Sequence, residues 1–383
     1  MLIRYSPDAK GRAVRKALIY TKKEHGIKLE DIDADAIRII THLRNRGFEG
    51  YIVGGAVRDL LIGKKPKDFD IVTNAEPARI KRLFRNSRII GKRFRLVHIF
   101  FGKRIFEVST FRSVVNGTTG NVFGTMDEDV RRRDFTINAL FYDPIKEQVV
   151  DYVGGVRDIR NQKLVPVIPL SNIFIEDPVR MLRAVKYAVS TCCTIPRKLS
   201  RTIRKSAPLL QPVSPSRLTE EIIKIVTSGN AHDTVAMLLK HDLFMYLQPA
   251  ANALMDGSKQ YALGYRNSLK NLDELINLGE PTRLGRKLVY LVTDLLQCIT
   301  DWNGQPMEVY AHVYHECRRF VMPMNPPRVE LEFAVRYCLK EGGLAIRSPR
   351  SRDNRERSVE PGLVKNRNRR KKPRTKAPIS SSN

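Results

Sequence analysis

The chain has 383 residues, 42% of them hydrophobic, enough to bury the cores of two or three domains. Lys+Arg 68 against Asp+Glu 40 leaves a formal charge of +28, which points to a polyanionic partner, either nucleic acid or an anionic membrane surface. No apolar run reaches the roughly 18 residues of a membrane-spanning helix, "MLIRYSPDAKGR" lacks the apolar centre of a secretion signal, and five cysteines without a C-x-x-C pair suit a reducing, cytoplasmic compartment.

Residues 1–30 read as a basic N-terminal arm leading to a first helix over about 31–46. "GYIVGG" predicts a short buried strand ending in two glycines, and "AVRDLLIG" a short helix stopped at Gly63. "FDIVT" predicts the next strand and "PARIKRLFRN" a helix. "RLVHIFFGKRIFEVSTF" predicts a hairpin turning at Gly102-Lys103, which sets His98 opposite Glu107. A further strand is expected near "QVVDYV". From about 175 to 340 every pattern is helical. Residues 346–383 carry almost no apolar content and read as a disordered basic tail. "HVYHEC" brings His312, His315 and Cys317 close in sequence, but the cysteine does not follow the histidines on a helix face, so a helix surface is expected there.

The stretch "KKPKDFDIVTN" (64–74) raises the question of chemistry. Read as a strand, Asp68 and Asp70 share one face while Phe69 and Ile71 share the other. Two carboxylates about 5 Å apart repel by roughly 3 kcal/mol at an effective dielectric near 20. Solvent and the flanking lysines could relieve that. So could a divalent cation, which takes one or two carboxylates plus substrate phosphates. Gly54 and Gly55 lie between a strand and a helix start, where backbone N–H groups favour phosphate, and Arg58 adds a charged fork in the first turn. Neither a Walker loop nor a dinucleotide fingerprint is present. Glu107 is the candidate third carboxylate near an attacking hydroxyl; its plainer role is as a cross-strand partner of His98.

"GGAVRDLLIGKKPKDFDIV", "EVSTFR", "RRRDFTINAL", "DYVGGVRDI" and "EDPVRMLRAVKYA" follow in this order over roughly residues 35–250. Together they resemble the class II template-independent RNA nucleotidyltransferases, the bacterial poly(A) polymerases and tRNA CCA-adding enzymes. The resemblance implies an α/β nucleotidyltransferase head with a mixed, largely antiparallel sheet over 31–165. A helical neck over 166–250, a helical RNA-binding body over 251–345 and the tail would follow. It implies that Asp68 and Asp70 carry Mg²⁺, to which the reading of Glu107 as a third metal-site carboxylate is added, and that Asp134 is an active-site aspartate. Gly54, Gly55 and Arg58 would hold the triphosphate, and Arg112, Arg133 and Asn138 would contact the incoming nucleotide.

The helix "EDPVRMLRAVK" would read the base through Asp177, Arg180 and Arg183, spaced three apart. A carboxylate accepts and a guanidinium donates, so an Asp–Arg pair suits the amino donor and ring-nitrogen acceptor shared by adenine and cytosine. Asp177 and Pro178 also fit a helix cap and first position. Lys186 stands where CCA-adding relatives often have a third arginine. "IIGKRFRLVHIFF" (89–101) and the basic tail lean toward addition of AMP from ATP to RNA 3′ ends. The alternatives are a CCA-adding activity using CTP and ATP, or a catalytically inactive RNA-binding protein. A membrane-surface role rests on the tail alone. The implied partners are RNA 3′ ends and ATP, with RNA-decay proteins as a further class; no membrane partner is expected, and the chain is read as a monomer.

Overall fold

The computed structural model describes residues 2–7, 13–91, 96–115, 122–344 and 346. The tail expectation for 346–383 therefore lies almost wholly outside the described residues, as do positions 92–95 of the basic "GKRFR" stretch. Nine strands form one sheet: β1 (Leu2–Pro7), β2 (Ala13–Thr21), β3 (Tyr51–Val53), β4 (Asp70–Thr73), β5 (Ser87–Ile90), β6 (Leu96–Phe101), β7 (Arg104–Thr110), β8 (Leu140–Asp143) and β9 (Gln148–Asp151). The order is β1-β2-β9-β8-β3-β4-β7-β6-β5, antiparallel throughout except for the β4–β7 pair. The mixed, largely antiparallel head matches the expected class.

Two expectations change. The segment read as a basic arm supplies β1 and β2, and β2 pairs with β9 from Leu18↔Asp151 to Thr21↔Gln148. Ala17 and Tyr20 are buried there, so the lysines and arginines masked a pairing strand. The second concerns Asp68. β4 begins at Asp70, because its partner β3 ends at Val53, opposite Asp70, and hands over to a helix. No neighbouring backbone remains to extend the ladder to Asp68, which stays exposed in the preceding loop. The helix expected over 31–46 is Ala34–Asn45, and the hairpin register His98↔Glu107 is as read.

Helices fill the chain from Ile173 to Glu341, the last three being Leu284–Ile299, Pro306–Phe320 and Arg328–Glu341. His312 and His315 are exposed on the middle one while Cys317 is fully buried, so the three do not converge. No described helix is long and apolar enough to cross a membrane. Beneath the site, Val53, Val72, Phe111, Met126, Val130 and Phe141 share one apolar cluster, which fixes the ends of β3 and β4 relative to the loop carrying Asp134.

Candidate active site

A cleft of about 890 Å³ opens between the sheet and the helix Arg180–Ser190. Its lining includes every residue that the sequence assigned to the active site or to nucleotide binding except Asp68. β4 and β7 run parallel with Ile71 opposite Val108, so one step back places Asp70 beside Glu107 on the same face. The second carboxylate next to Asp70 on the sheet is thus Glu107, from a strand 37 positions later, while Asp68 lies in the loop before β4. Glu107 also meets His98 at 3.4 Å, the cross-strand partnership read from the hairpin.

Asp70 is exposed at the mouth of the cleft, but the cleft walls crowd its carboxyl and limit its hydration. That burial, followed by repulsion from Glu107 and then Asp68, pushes its pKa up to about 6. Because the folded value lies above the ordinary 3.8, Asp70's contribution to stability is full below about pH 4 and is lost as pH rises through about 6. In metal-free protein, Asp70→Asn should therefore flatten a stability decline between about pH 4 and 6 and should melt slightly higher than wild type at neutral pH. Melting profiles of the two proteins that overlay across this window would contradict the arrangement.

Among the described residues, no three His, Cys, Asp or Glu side chains form a closed metal cage. Repelling carboxylates at an open corner still fit a hard cation that takes its remaining oxygens from substrate phosphates.

At the end of β3, Gly54 has φ 68° and ψ −129°, a conformation that side-chain-bearing residues avoid, and it caps the helix Gly55–Leu61. Arg58 is buried on that helix, donating to Asn138 Oδ1 at 2.8 Å and to Asp59. The later "GGVRD" is different. Asp151 takes the N–H groups of Gly154 and Gly155 at 2.7 and 3.0 Å, so that pair is unavailable to phosphate. A Cβ on Gly155 would sit 2.2 Å from Thr136 O, so this glycine lets its helix pack under the "RRRDFTIN" loop.

That loop presents arginines to the cleft. Arg133 is gripped by Asp129 through Nε at 3.1 Å and Nη2 at 2.8 Å, and lies over Phe141. Arg132 has its Nη1 buried without a hydrogen-bond partner among the described residues. Burial and then the Arg112 charge push its pKa down to about 10. Burial likewise lowers Arg112. Asp134, 5% exposed, accepts from Phe135 N at 2.8 Å and pairs with Arg183 Nη2 at 2.8 Å. In this state its carboxylate orients Arg183 rather than reaching into open cleft.

The base-reading set is built differently from its sequence spacing. The helix starts at Arg180 with Val179 in the cap position, so Asp177 is not its cap and Pro178 not its first residue; Asp177 accepts from Val179 N at 3.2 Å in the turn before the helix. The Asp177 carboxylate is held by Arg217, whose Nη2 lies 2.9 and 3.0 Å from the two oxygens. Arg180 is buried, donating to Ile173 O at 3.2 Å and reaching Glu176 at 3.5 Å. Lys186 turns away to a buried Glu221 at 2.8 Å. Tyr187, whose phenol is pushed up to about 12 by burial, stands between the Arg58 and Arg183 guanidiniums at 5.2 and 5.5 Å.

Sequence reasoning missed Asp129, Arg132, Tyr187 and Arg217. Asp129 and Tyr187 were findable, since each lies four residues from a named arginine. Arg217 had no local signal. Four of the cleft's carboxylates are each paired with an arginine, whereas Asp70 and Glu107 make no ion pair with arginine among the described residues. The cleft is therefore bipolar, with an acidic corner on the sheet and a basic wall opposite. It can accept a cation and a polyphosphate side by side.

Comparison with known proteins agrees. Residues 50–165 match the poly A polymerase head domain, and 193–255 match the probable RNA- and SrmB-binding site of polymerase A. Poly(A) polymerase I of Salmonella typhimurium is 41% identical over 247 residues, 60% of this chain and 53% of that protein. Poly(A) polymerase I of Escherichia coli O157:H7 is 37% identical over 296 residues, 72% and 64% of the two chains. A CC-adding tRNA nucleotidyltransferase of Halalkalibacterium halodurans is 34% identical over 218 residues, 57% and 54%. The chain thus spans about half to two thirds of the length of these curated relatives. The fold matches the crystal structure of the Bacillus stearothermophilus CCA-adding enzyme in complex with CTP, with TM-score 0.54 and 23% identity over 80% and 82% of the chains. A tRNA nucleotidyltransferase complexed with a primer tRNA and an incoming ATP analog gives the same TM-score, with 79% and 95% covered. From its ordered motifs, its head fold and these relatives, the chain belongs to the template-independent RNA nucleotidyltransferases, the family of bacterial poly(A) polymerases and tRNA CCA-adding enzymes.

Proposed function

We propose that the protein adds AMP from ATP to RNA 3′ ends, one nucleotide after another, in the cytoplasm. The RNA 3′-hydroxyl oxygen forms the new bond to the α-phosphorus, and pyrophosphate leaves. Asp70 and Asp68, with Glu107, would hold Mg²⁺ together with the triphosphate; when bound, the ion offsets phosphate charge in the transition state. Arg112, Arg132 and Arg133 bind and orient the triphosphate from the opposite wall, and Gly54 and Gly55 let it approach the backbone. Asp177 and Arg180 would meet the base edge, while Tyr187 holds the Arg58 and Arg183 guanidiniums beside it.

One observation carries the choice of a single repeated nucleotide: Arg217 clamps the Asp177 carboxylate. A CCA-adding enzyme must switch from cytosine to adenine, so its reader has to move. A reader tied to a second helix favours one base. Supplied with ATP alone, the protein should extend unstructured RNA by many adenylates, and with CTP alone it should add few or none. Arg217→Ala should narrow the ATP-over-CTP preference by about tenfold, the weight of a charge-assisted hydrogen bond. A product ending at C-C-A on a trimmed tRNA, with generic RNA ignored, would establish the CCA-adding reading instead.

A further inference from the structure

The last three helices carry an outer face that the core does not require. Helix Arg328–Glu341 buries Leu331, Ala334, Val335, Cys338 and Leu339 against its neighbours, an aliphatic side sufficient for packing. Its other side holds Phe333 and Tyr337, half-buried, with ring centroids 6.1 Å apart and planes 29° apart. Arginines at the start of the adjoining helix stand over both rings: Arg283 at 4.2 Å from the Phe333 centroid and Arg286 at 3.9 Å from that of Tyr337. On the other flank Arg336 lies 4.3 Å over Tyr310. A guanidinium laid on a ring keeps its outer plane open for stacking and its edge N–H groups directed outward.

The charge on this face is unbalanced. Glu330 and Glu332 are occupied by Arg283 and Arg328 at 2.9 and 2.7 Å. Among the described residues no carboxylate forms an ion pair with Arg286. The positive character continues toward the head, since Lys287 is next to Arg286. Its proton affinity is lowered by burial and then by the charge of Lys67, which directly precedes Asp68. Flat aromatic and guanidinium surfaces with outward cations are the features on which unpaired nucleobases stack while phosphates are neutralised. An aliphatic protein partner has no use for them.

We propose that the face formed by Arg286, Phe333, Tyr337, Arg336 and Tyr310 is a base-stacking platform for single-stranded RNA upstream of the 3′ end in the cleft. This inference rests on RNA being the substrate. The test uses the full chain and fluorescence anisotropy with two ligands of equal length, about 20 nucleotides: labelled oligo(A) and an abasic ribose-phosphate oligomer. Arg286→Gln combined with Tyr337→Leu should weaken oligo(A) binding about tenfold and abasic binding less than about threefold. Tyr337→Phe should bind as wild type. On long primers the double variant should raise KM with kcat unchanged, and on a primer of about four nucleotides it should match wild type. Arg286→Gln alone, which removes no buried apolar side chain, provides the folded comparison should the pair melt early. Unchanged oligo(A) binding in the folded variants would overturn the platform, as would equal losses on both ligands. A protein that binds RNA yet transfers no nucleotide would sink the proposed activity while leaving the platform test readable.

Discussion

Asp70→Asn is expected to lower nucleotide addition by roughly 10³-fold, about 4 kcal/mol of transition-state stabilisation, while RNA affinity stays within about twofold of wild type. The carboxylate stands where β3 and β4 end together, beside Glu107 and across from the arginine wall. Asparagine keeps the shape and removes the charge, so the loss should fall on the chemical step. RNA binding depends on distributed phosphate contacts that do not involve this side chain. Glu107→Gln should cost less, because its carboxylate is half exposed and already meets His98. A variant at Asp70 that keeps more than about a tenth of wild-type rate with Mg²⁺ would remove Asp70 from the catalytic centre.

Asp151→Ala should be among the most destabilising single changes in the head. The side chain is 1% exposed and accepts four backbone N–H groups: Val153, Gly154 and Gly155 on Oδ1 at 3.0, 2.7 and 3.0 Å, and Val156 on Oδ2 at 3.0 Å. Alanine would leave those donors unmatched at the start of the helix Gly155–Arg160, the N–H groups of Gly155 and Val156 among them buried. Hydrogen bonds to a charged group are worth about 1.5–3 kcal/mol each and do not add fully, so a cost of at least about 4 kcal/mol is expected. The melting midpoint should fall by roughly 10 °C. The damage should reach the cleft, because this helix carries Asp158, which accepts from Thr136 in the "RRRDFTIN" loop at 2.8 Å. A melting curve within about 2 °C of wild type would show that the turn has another support.

These cases separate what local pattern reveals from what it hides. Gly54 and Arg58 were legible because a strand, two glycines and a helix start are consecutive, and consecutive residues cannot be far apart. The hairpin register was legible because a two-residue turn at Gly102-Lys103 fixes every pairing behind it, including His98 with Glu107. The echo of "GGAVRD" in "GGVRD" misleads by the same local logic. Only the position of Asp151 decides that the second pair is scaffold. The N-terminal strands were hidden by composition, since lysine and arginine can line a strand's exposed face without preventing its pairing.

The order of motifs by itself determined the family, the head-then-helices architecture and most of the cleft's residues, because each motif carries its chemistry within a few adjacent positions. Tertiary structure decided which carboxylates meet. Asp70 finds Glu107 through a parallel ladder between strands 37 residues apart, and Asp68 falls outside that ladder because β3 ends first. It also decided that Asp177 is held by Arg217 from another helix, and that Asp134 holds Arg183. No spacing rule reaches those pairs. Charge pairing across 40 or 49 residues depends on how helices pack, and packing is settled by the buried apolar faces rather than by the polar residues they bring together.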